Sequence, residues 1–189
     1  MLFAAQFPDL RAMREQLRQL RNELSAEQQK LHSQAICSHA AQLLASREDR
    51  HIGAYNAFDG EPELSSLLFR AQSQYWFPVV GAQSNQMTFA QGSKLQQNQY
   101  GITEPKAGSE MPVDQLSLIF VPLVGYDKHC NRIGMGKGFY DRALQSLGDE
   151  TLLVGISHNC QQVDSLTSQP WDVTLDCVIT ETGIIYPPK

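Results

Sequence analysis

Apolar residues near the start of the chain recur at spacings of three and four: Leu10, Met13, Leu17, Leu20 and Leu24. That period puts them on one face of a helix over residues 9–24. Arg11, Arg14, Arg18 and Arg21 fall at other positions and form a basic stripe beside the apolar one. Ser25 followed by Gln28 is a capping-box pair, which ends this helix and opens a second one reaching about residue 46. So tight a junction predicts that residues 1–48 form an N-terminal helical hairpin packed on the rest of the chain.

After residue 50 short apolar runs alternate with helical patterns. Strands are expected at 51–57, 75–80, 87–90, 116–124, 152–156 and 177–180, and helices at 61–73 and 138–147. Pro62 suits the first turn of the 61–73 helix, and Asp59-Gly60 before it reads as a turn. The run LSLIFVPLV at 116–124 has the continuous apolar character of a strand buried on both faces. Tyr75, Trp76 and Phe89 read as core aromatics. The alternation predicts an α/β fold with a mostly parallel sheet covered on both sides, a three-layer α/β/α arrangement in a single domain over 1–189.

The 189 residues carry 15 Lys and Arg against 20 Asp and Glu, for a net charge of -5. An extended nucleic-acid surface needs a basic excess, so that class is disfavoured. No apolar run approaches the roughly 20 residues that span a bilayer. Cys37, Cys130, Cys160 and Cys177 show no CxxC pairing and read as reduced thiols of a cytoplasmic protein. A zinc set of His129, Cys130, His158 and Cys160 lacks tight Cys/His pairs. The chain is expected to be a monomer acting on small molecules, without a nucleic-acid or membrane partner.

The chemistry concentrates in residues 127–142, DKHCNRIGMGKGFYDR, which hold four basic and two acidic residues in an otherwise acidic region. Alternating Gly134, Gly136 and Gly138 would let backbone N–H groups close around an anion. A helix opening near 138 adds partial positive charge, and Arg132, Lys137 and Arg142 supply cations. Asp127 and Asp141 stand at the two ends as candidate Mg²⁺ ligands. The pattern is neither GxxxxGK[ST] nor GxGxxG, since no hydroxyl follows Lys137 and Phe139 fills the third glycine slot.

The stretch RIGMGKGFYDR at 132–142, following VPLVGYD at 121–127, closely resembles the signature of the 5-formyltetrahydrofolate cyclo-ligase family. Arg14 to Ser25 resembles that family's basic N-terminal helix, and Phe58-Asp-Gly-Glu61 its folate-contacting turn. Met87-Thr-Phe89, Gly101-Ile-Thr-Glu-Pro105, Cys160-Gln161 and Trp171-Asp172 follow in the family's order. The resemblance implies a fold of the NagB/RpiA/CoA-transferase type. It also implies conversion of 5-formyltetrahydrofolate to 5,10-methenyltetrahydrofolate with ATP and Mg²⁺.

By the same resemblance, Arg11, Arg14, Arg132, Gly134, Gly136, Lys137, Gly138 and Tyr140 are expected to bind ATP. Arg132, Lys137 and Tyr140 would act in catalysis, and Asp141 and Asp172 would bind the metal. Asn56, Phe58, Glu61, Met135 and Phe139 would line the folate pocket. The family usually carries lysine where this chain has Leu10. Apart from such contacts, Arg11, Arg18 and Arg21 read as a solvated helix face, and Asp172 also suits a turn cap. Two rival functions share these features: a phosphosugar isomerase on the same fold, and a reduced-folate-binding protein without turnover.

Overall fold

The structure, a computed structural model, describes residues 9–48, 51–68, 74–81, 87–92, 94–106, 108–145, 147–148, 150–169 and 171–188. Helix α1 spans Leu10–Asn22, with the Asp9 carboxylate accepting from the Ala12 N–H as its N-cap. Helix α2, Ala26–Ala45, opens on the expected capping box. Ser25 Oγ accepts from the Gln28 N–H, and Gln28 Oε1 accepts from the Ser25 N–H.

The two helices have different partners, so the expected hairpin is not two arms packed along each other. Leu17 of α1 clusters with Val124, Ile133 and Val163, while α2 lays Ile36, Cys37 and Ala40 on one face of the main sheet. Packing at long range, which the local period cannot report, separates them.

That sheet has eight strands in the order β12-β11-β10-β7-β1-β2-β3-β6. Their bounds are β1 His51–Gly53, β2 Gln74–Val80, β3 Met87–Gln91, β6 Ser109–Met111, β7 Leu118–Pro122, β10 Leu152–Ile156, β11 Cys177–Thr180 and β12 Gly183–Ile185. The five from β11 to β2 run parallel, and β12, β3 and β6 add antiparallel edges. Two small hairpins, β4 (Leu95–Gln97) with β5 (Thr103–Pro105) and β8 (Gly125–Tyr126) with β9 (Arg132–Ile133), stand outside it.

Central strand β7 shows why both faces are dry. Leu118 and Phe120 join Ile36, Ile52, Val154 and Ile179 on the α2 side, whereas Ile119 and Val121 join Phe89, Trp76 and Val178 on the other. Alternate residues of a strand point to opposite faces, so a run that is apolar at every position can only be buried twice. Helix α3, Ser65–Leu68, adds Leu67 to the first side. Helix α4, Phe139–Leu144, covers the second with irregular chain around Val113 and Val173.

The helices after residue 50 are shorter than expected. Residues 61–64 are not helical, so Pro62 precedes α3 instead of lying in its first turn, and 69–73 fall outside the described residues. No helix among the described residues is long and apolar enough to cross a membrane. All four cysteines are unpaired.

Candidate functional site

A cleft of about 730 Å³ opens beyond the carboxyl ends of β1 and β7, lined by β2, β3, the α1 N-terminus and four loops. Open α/β sheets bind ligands at this end. Every residue assigned to the site from the sequence lines it except Arg11 and Asp127. Arg11 lies on the exposed side of α1, where its Nε donates to Glu15 Oε1 at 3.2 Å. Three residue-steps set it roughly 60° round the helix from Arg14, and its side chain does not line the cleft.

One wall is the glycine loop. The strand–loop–helix connection read from the sequence is interrupted by the β8–β9 hairpin, which makes Arg132 a strand residue at the cleft edge. Asp127, expected as a metal ligand, is fully buried in that hairpin. It accepts from the N–H groups of His129, Asn131 and Leu166 and from the Asn131 side chain. Its acceptor sites serve the turn, and it does not line the cleft.

Gly136 and Gly138 adopt φ of 83° and 67°, the left-handed region that side chains with a Cβ seldom enter. Arg14 Nε donates to the Gly134 carbonyl at 3.0 Å, and its guanidinium lies over Gly136. Helix α4 has only six residues, so the cations Arg14, Arg132, Lys137 and Arg142 supply more of the positive field than its dipole does.

Arg132 bridges to Asp141 and to the Val173 carbonyl. Burial pulls its pKa down, and the charges of Asp141 and Asp172 oppose that pull. Asp172 also caps its own turn, accepting from the Gln169 N–H at 2.8 Å. Both carboxylates therefore flank one guanidinium in the cleft. Tyr140 contributes a buried hydroxyl without a hydrogen-bond partner. Burial, and then the Glu61 charge, push this phenol well above its usual value, so it remains a donor.

The opposite wall is the turn Phe58–Glu61, with φ of 53° at Asp59 and 77° at Gly60. The Glu61 N–H donates to the Phe58 carbonyl, and the Phe58 N–H donates to Glu61 Oε2 at 3.1 Å. The basic stripe of α1 holds this turn from behind. Arg21, expected on a solvated face, is fully buried and donates to both Asp59 Oδ2 and the Asp59 carbonyl. Arg18 and Asn22 also donate to the Asp59 carboxylate, at 2.7 and 3.1 Å. Burial alone would raise the Asp59 pKa, but these hydrogen bonds hold it below its usual value.

Glu61 behaves in the opposite way. Burial raises its pKa to about 7, against the pull of Arg21 and the Phe58 N–H. A folded-state value above the unfolded one means that ionising Glu61 as pH rises through 7 opposes folding. Its carboxylate costs stability at the site it occupies.

Sequence reasoning passed over Tyr100, whose ring meets Phe139 edge-on at 5.4 Å with Lys137 Nζ 5.5 Å from its centroid. It lies in the polar excursion after β4, where no period marks an inward residue. The Asn98 side-chain oxygen accepts from the backbone N–H of Tyr100 and Ile102, shaping that loop, and buried Glu104 fixes Asn98 in turn. Asn56 reaches across to the Thr103 carbonyl at 2.9 Å. Leu10, Phe58, Met135 and Trp171 are exposed large apolar side chains, and all four line the cleft. An apolar rim around a few polar groups suits a ligand with a flat aromatic part.

Comparison with known proteins agrees with this geometry. The model of the 5-formyltetrahydrofolate cyclo-ligase family matches residues 7–181. The 5-formyltetrahydrofolate cyclo-ligase of Haemophilus influenzae is 35% identical over 173 residues, covering 86% of this chain and 92% of its own. That of Escherichia coli K12 is 32% identical over 178 residues, covering 89% and 98%. The solved 5,10-methenyltetrahydrofolate synthetase of Mycoplasma pneumoniae superposes with a TM-score of 0.77 at 26% identity, over 92% of this chain and 99% of that one. The Aquifex aeolicus 5,10-methenyltetrahydrofolate synthetase gives 0.79 at 26% identity, over 92% and 90%. The chain belongs to the 5-formyltetrahydrofolate cyclo-ligase family.

Proposed function

We propose that this chain converts 5-formyltetrahydrofolate and ATP to 5,10-methenyltetrahydrofolate, ADP and phosphate. The observation that carries the reading is one cleft with two unlike walls. A glycine loop with four cations faces an apolar rim that holds a single raised-pKa carboxylate, Glu61. A sugar phosphate would use the first wall and leave the second uncovered. A folate binder without turnover would have little use for the first.

The N-formyl group is an amide, and its oxygen leaves poorly. Transfer of the γ-phosphoryl of ATP to that oxygen makes it a good leaving group. N10 then attacks the formyl carbon and gives up its proton, the departing phosphate takes the former formyl oxygen and can carry that proton, and the ring is closed as the methenyl product. Such chemistry asks for alignment and charge neutralisation, and no covalent protein nucleophile.

Gly134 leaves open space for phosphate oxygens, the guanidinium groups of Arg14 and Arg142 lie against Gly136 and Gly138, and Arg14, Lys137 and Arg132 neutralise the phosphate charge. Asp141 and Asp172 form a hard oxygen donor set suited to Mg²⁺, which when bound would offset phosphate charge. With Asp141 holding such an ion, the Arg132 guanidinium that it now pairs would be free to face phosphate. Tyr140 donates its hydroxyl to an oxygen of the transferring group. Glu61 accepts from the 2-amino and N3–H donors of the pterin, with Phe58, Met135 and Phe139 along its faces and Asn56 at the edge.

The purified chain is mixed with 5-formyltetrahydrofolate and MgATP while the near-ultraviolet absorbance of the methenyl product is followed. Product formation that requires both ATP and Mg²⁺ is expected. A folded protein giving no product would overturn the reading.

A further inference from the structure

Behind the Phe58–Glu61 turn, three side chains from distant parts of the chain converge. His32 comes from α2, His158 from the loop after β10, and Glu181 from the end of β11. His32 Nδ1 lies 3.1 Å from His158 Nδ1 and 3.6 Å from Glu181 Oε1, and one ligand atom from each residue lies within 4.8 Å of the others. The four residues His129, Cys130, His158 and Cys160, weighed as a zinc set from the sequence, are not gathered in this way among the described residues. Cys130, for example, gives its thiol to the Ile185 carbonyl.

We propose that His32, His158 and Glu181 form a binding site for one divalent transition-metal ion, with Zn²⁺ the best match to the donor set and spacing. Tetrahedral zinc with ligands at about 2.0–2.1 Å sets neighbouring ligand atoms roughly 3.3–3.4 Å apart. The separations of 3.1 and 3.6 Å bracket that value, so an ion can enter with small side-chain movement.

The surrounding hydrogen bonds have the form of an outer shell. His158 Nε2 lies 3.1 Å from the Gly60 carbonyl, which can only accept, so this nitrogen carries the ring proton. In the neutral ring the Nδ1 lone pair is left facing His32. A histidine ligand usually has this arrangement, one nitrogen on the metal and the other donating to a backbone carbonyl. Glu181 is oriented likewise, with Oε2 accepting from the Asn159 N–H at 2.9 Å while Oε1 faces His32.

Without metal, the His32 Nδ1 proton bridges the two acceptors. The ion takes that proton's place, and the ring stays neutral by carrying its proton on Nε2 instead. His32 and Glu181 are partly exposed, which provides the entry path, and a water completes four-coordination. Two imidazoles and one carboxylate favour Zn²⁺ and its neighbours over Mg²⁺, which prefers oxygen ligands alone. The ion would clamp α2 to the ends of β10 and β11 and, through Gly60, would back the turn that carries Glu61. The site is independent of the proposed catalytic activity and separate from Asp141 and Asp172.

The full-length chain, stripped with chelator, is titrated with Zn²⁺ by calorimetry and with Co²⁺ by visible absorption. One equivalent should bind, with the ligand-field bands of a four-coordinate site. Binding should raise Tm by about 5–10 °C at a hundredfold excess over Kd. His32→Gln and Glu181→Gln should each weaken binding by more than about tenfold, the least expected when a ligand rather than an outer-shell partner is removed. Asp141→Asn should bind as the parent does. Circular dichroism of each variant establishes that it is folded. Absence of stoichiometric binding would overturn the proposal, as would binding untouched by both His32→Gln and Glu181→Gln or abolished by Asp141→Asn.

Discussion

The two walls of the cleft are built in opposite ways. The Phe58–Glu61 turn is held on every side: Asp59 by Arg18, Arg21 and Asn22, Gly60 by His158, and Glu61 by the Phe58 N–H. The glycine loop between Gly134 and Gly138 is held by arginine side chains at two carbonyls, Arg14 at Gly134 and Arg142 at Lys137. Nothing lies within 4 Å of a Cβ built on Gly134, and Lys137 is exposed. A wall that reads a flat, invariant head group benefits from preorganisation. A wall that follows a moving phosphoryl group needs donors able to change partners. On the proposed function, the difference fits recognition at the first and chemistry at the second.

Breaking the chemical wall at its centre should have the largest effect. Arg132→Ala removes the cation shared by Asp141 and the Val173 carbonyl, and turnover should fall about 10²–10³-fold. Arg132→Lys should restore little, because an ammonium cannot span both acceptors as a guanidinium fork does. Turnover within about tenfold of the parent would move the chemistry elsewhere.

The recognition wall should break differently. Arg21→Met strips Asp59 of a buried partner and should cost about 3–5 kcal/mol in urea unfolding. A loss below about 1 kcal/mol would mean that the turn holds itself without α1.

Tyr140→Phe sharpens the contrast on a smaller scale. Its hydroxyl has no partner, so stability should change by no more than about 0.5 kcal/mol, while turnover falls about tenfold. Loss of stability with unchanged turnover would make that hydroxyl structural. The smallest effect is expected at Arg11. Arg11→Ala removes only an exposed pair with Glu15, and the ATP KM should stay within about twofold.

Much of this was legible in the residues themselves. The helical periods of α1 and α2, the Ser25–Gln28 capping box and the doubly buried run of β7 are local signals, and the structure follows them. The glycine segment was legible because positive φ and dense cations leave a mark in composition.

What escaped depends on contacts between distant positions. Arg18 and Arg21 have the spacing of a solvated stripe, and only a carboxylate 41 and 38 residues away turns them inward. Asp127 looks like a metal ligand until the β8–β9 hairpin closes around it. The antiparallel edge strands β3, β6 and β12 are short, and only Met87–Gln91 carries an apolar pattern strong enough to be read. Tyr100 sits in a loop shaped by Asn98 and Glu104, with no period to betray it.

The division of labour between the walls is tested most directly by initial-rate kinetics with both substrates on Glu61→Gln and Arg14→Ala. Glu61→Gln should raise the folate KM about tenfold and leave the ATP KM unchanged, and Arg14→Ala should do the reverse. In the parent, the folate KM should also rise as pH falls below about 7, where Glu61 takes up a proton and loses acceptor capacity. That limb should be absent in Glu61→Gln. Both KM values moving together in each variant, or a folate KM in the parent indifferent to pH through 7, would contradict the account.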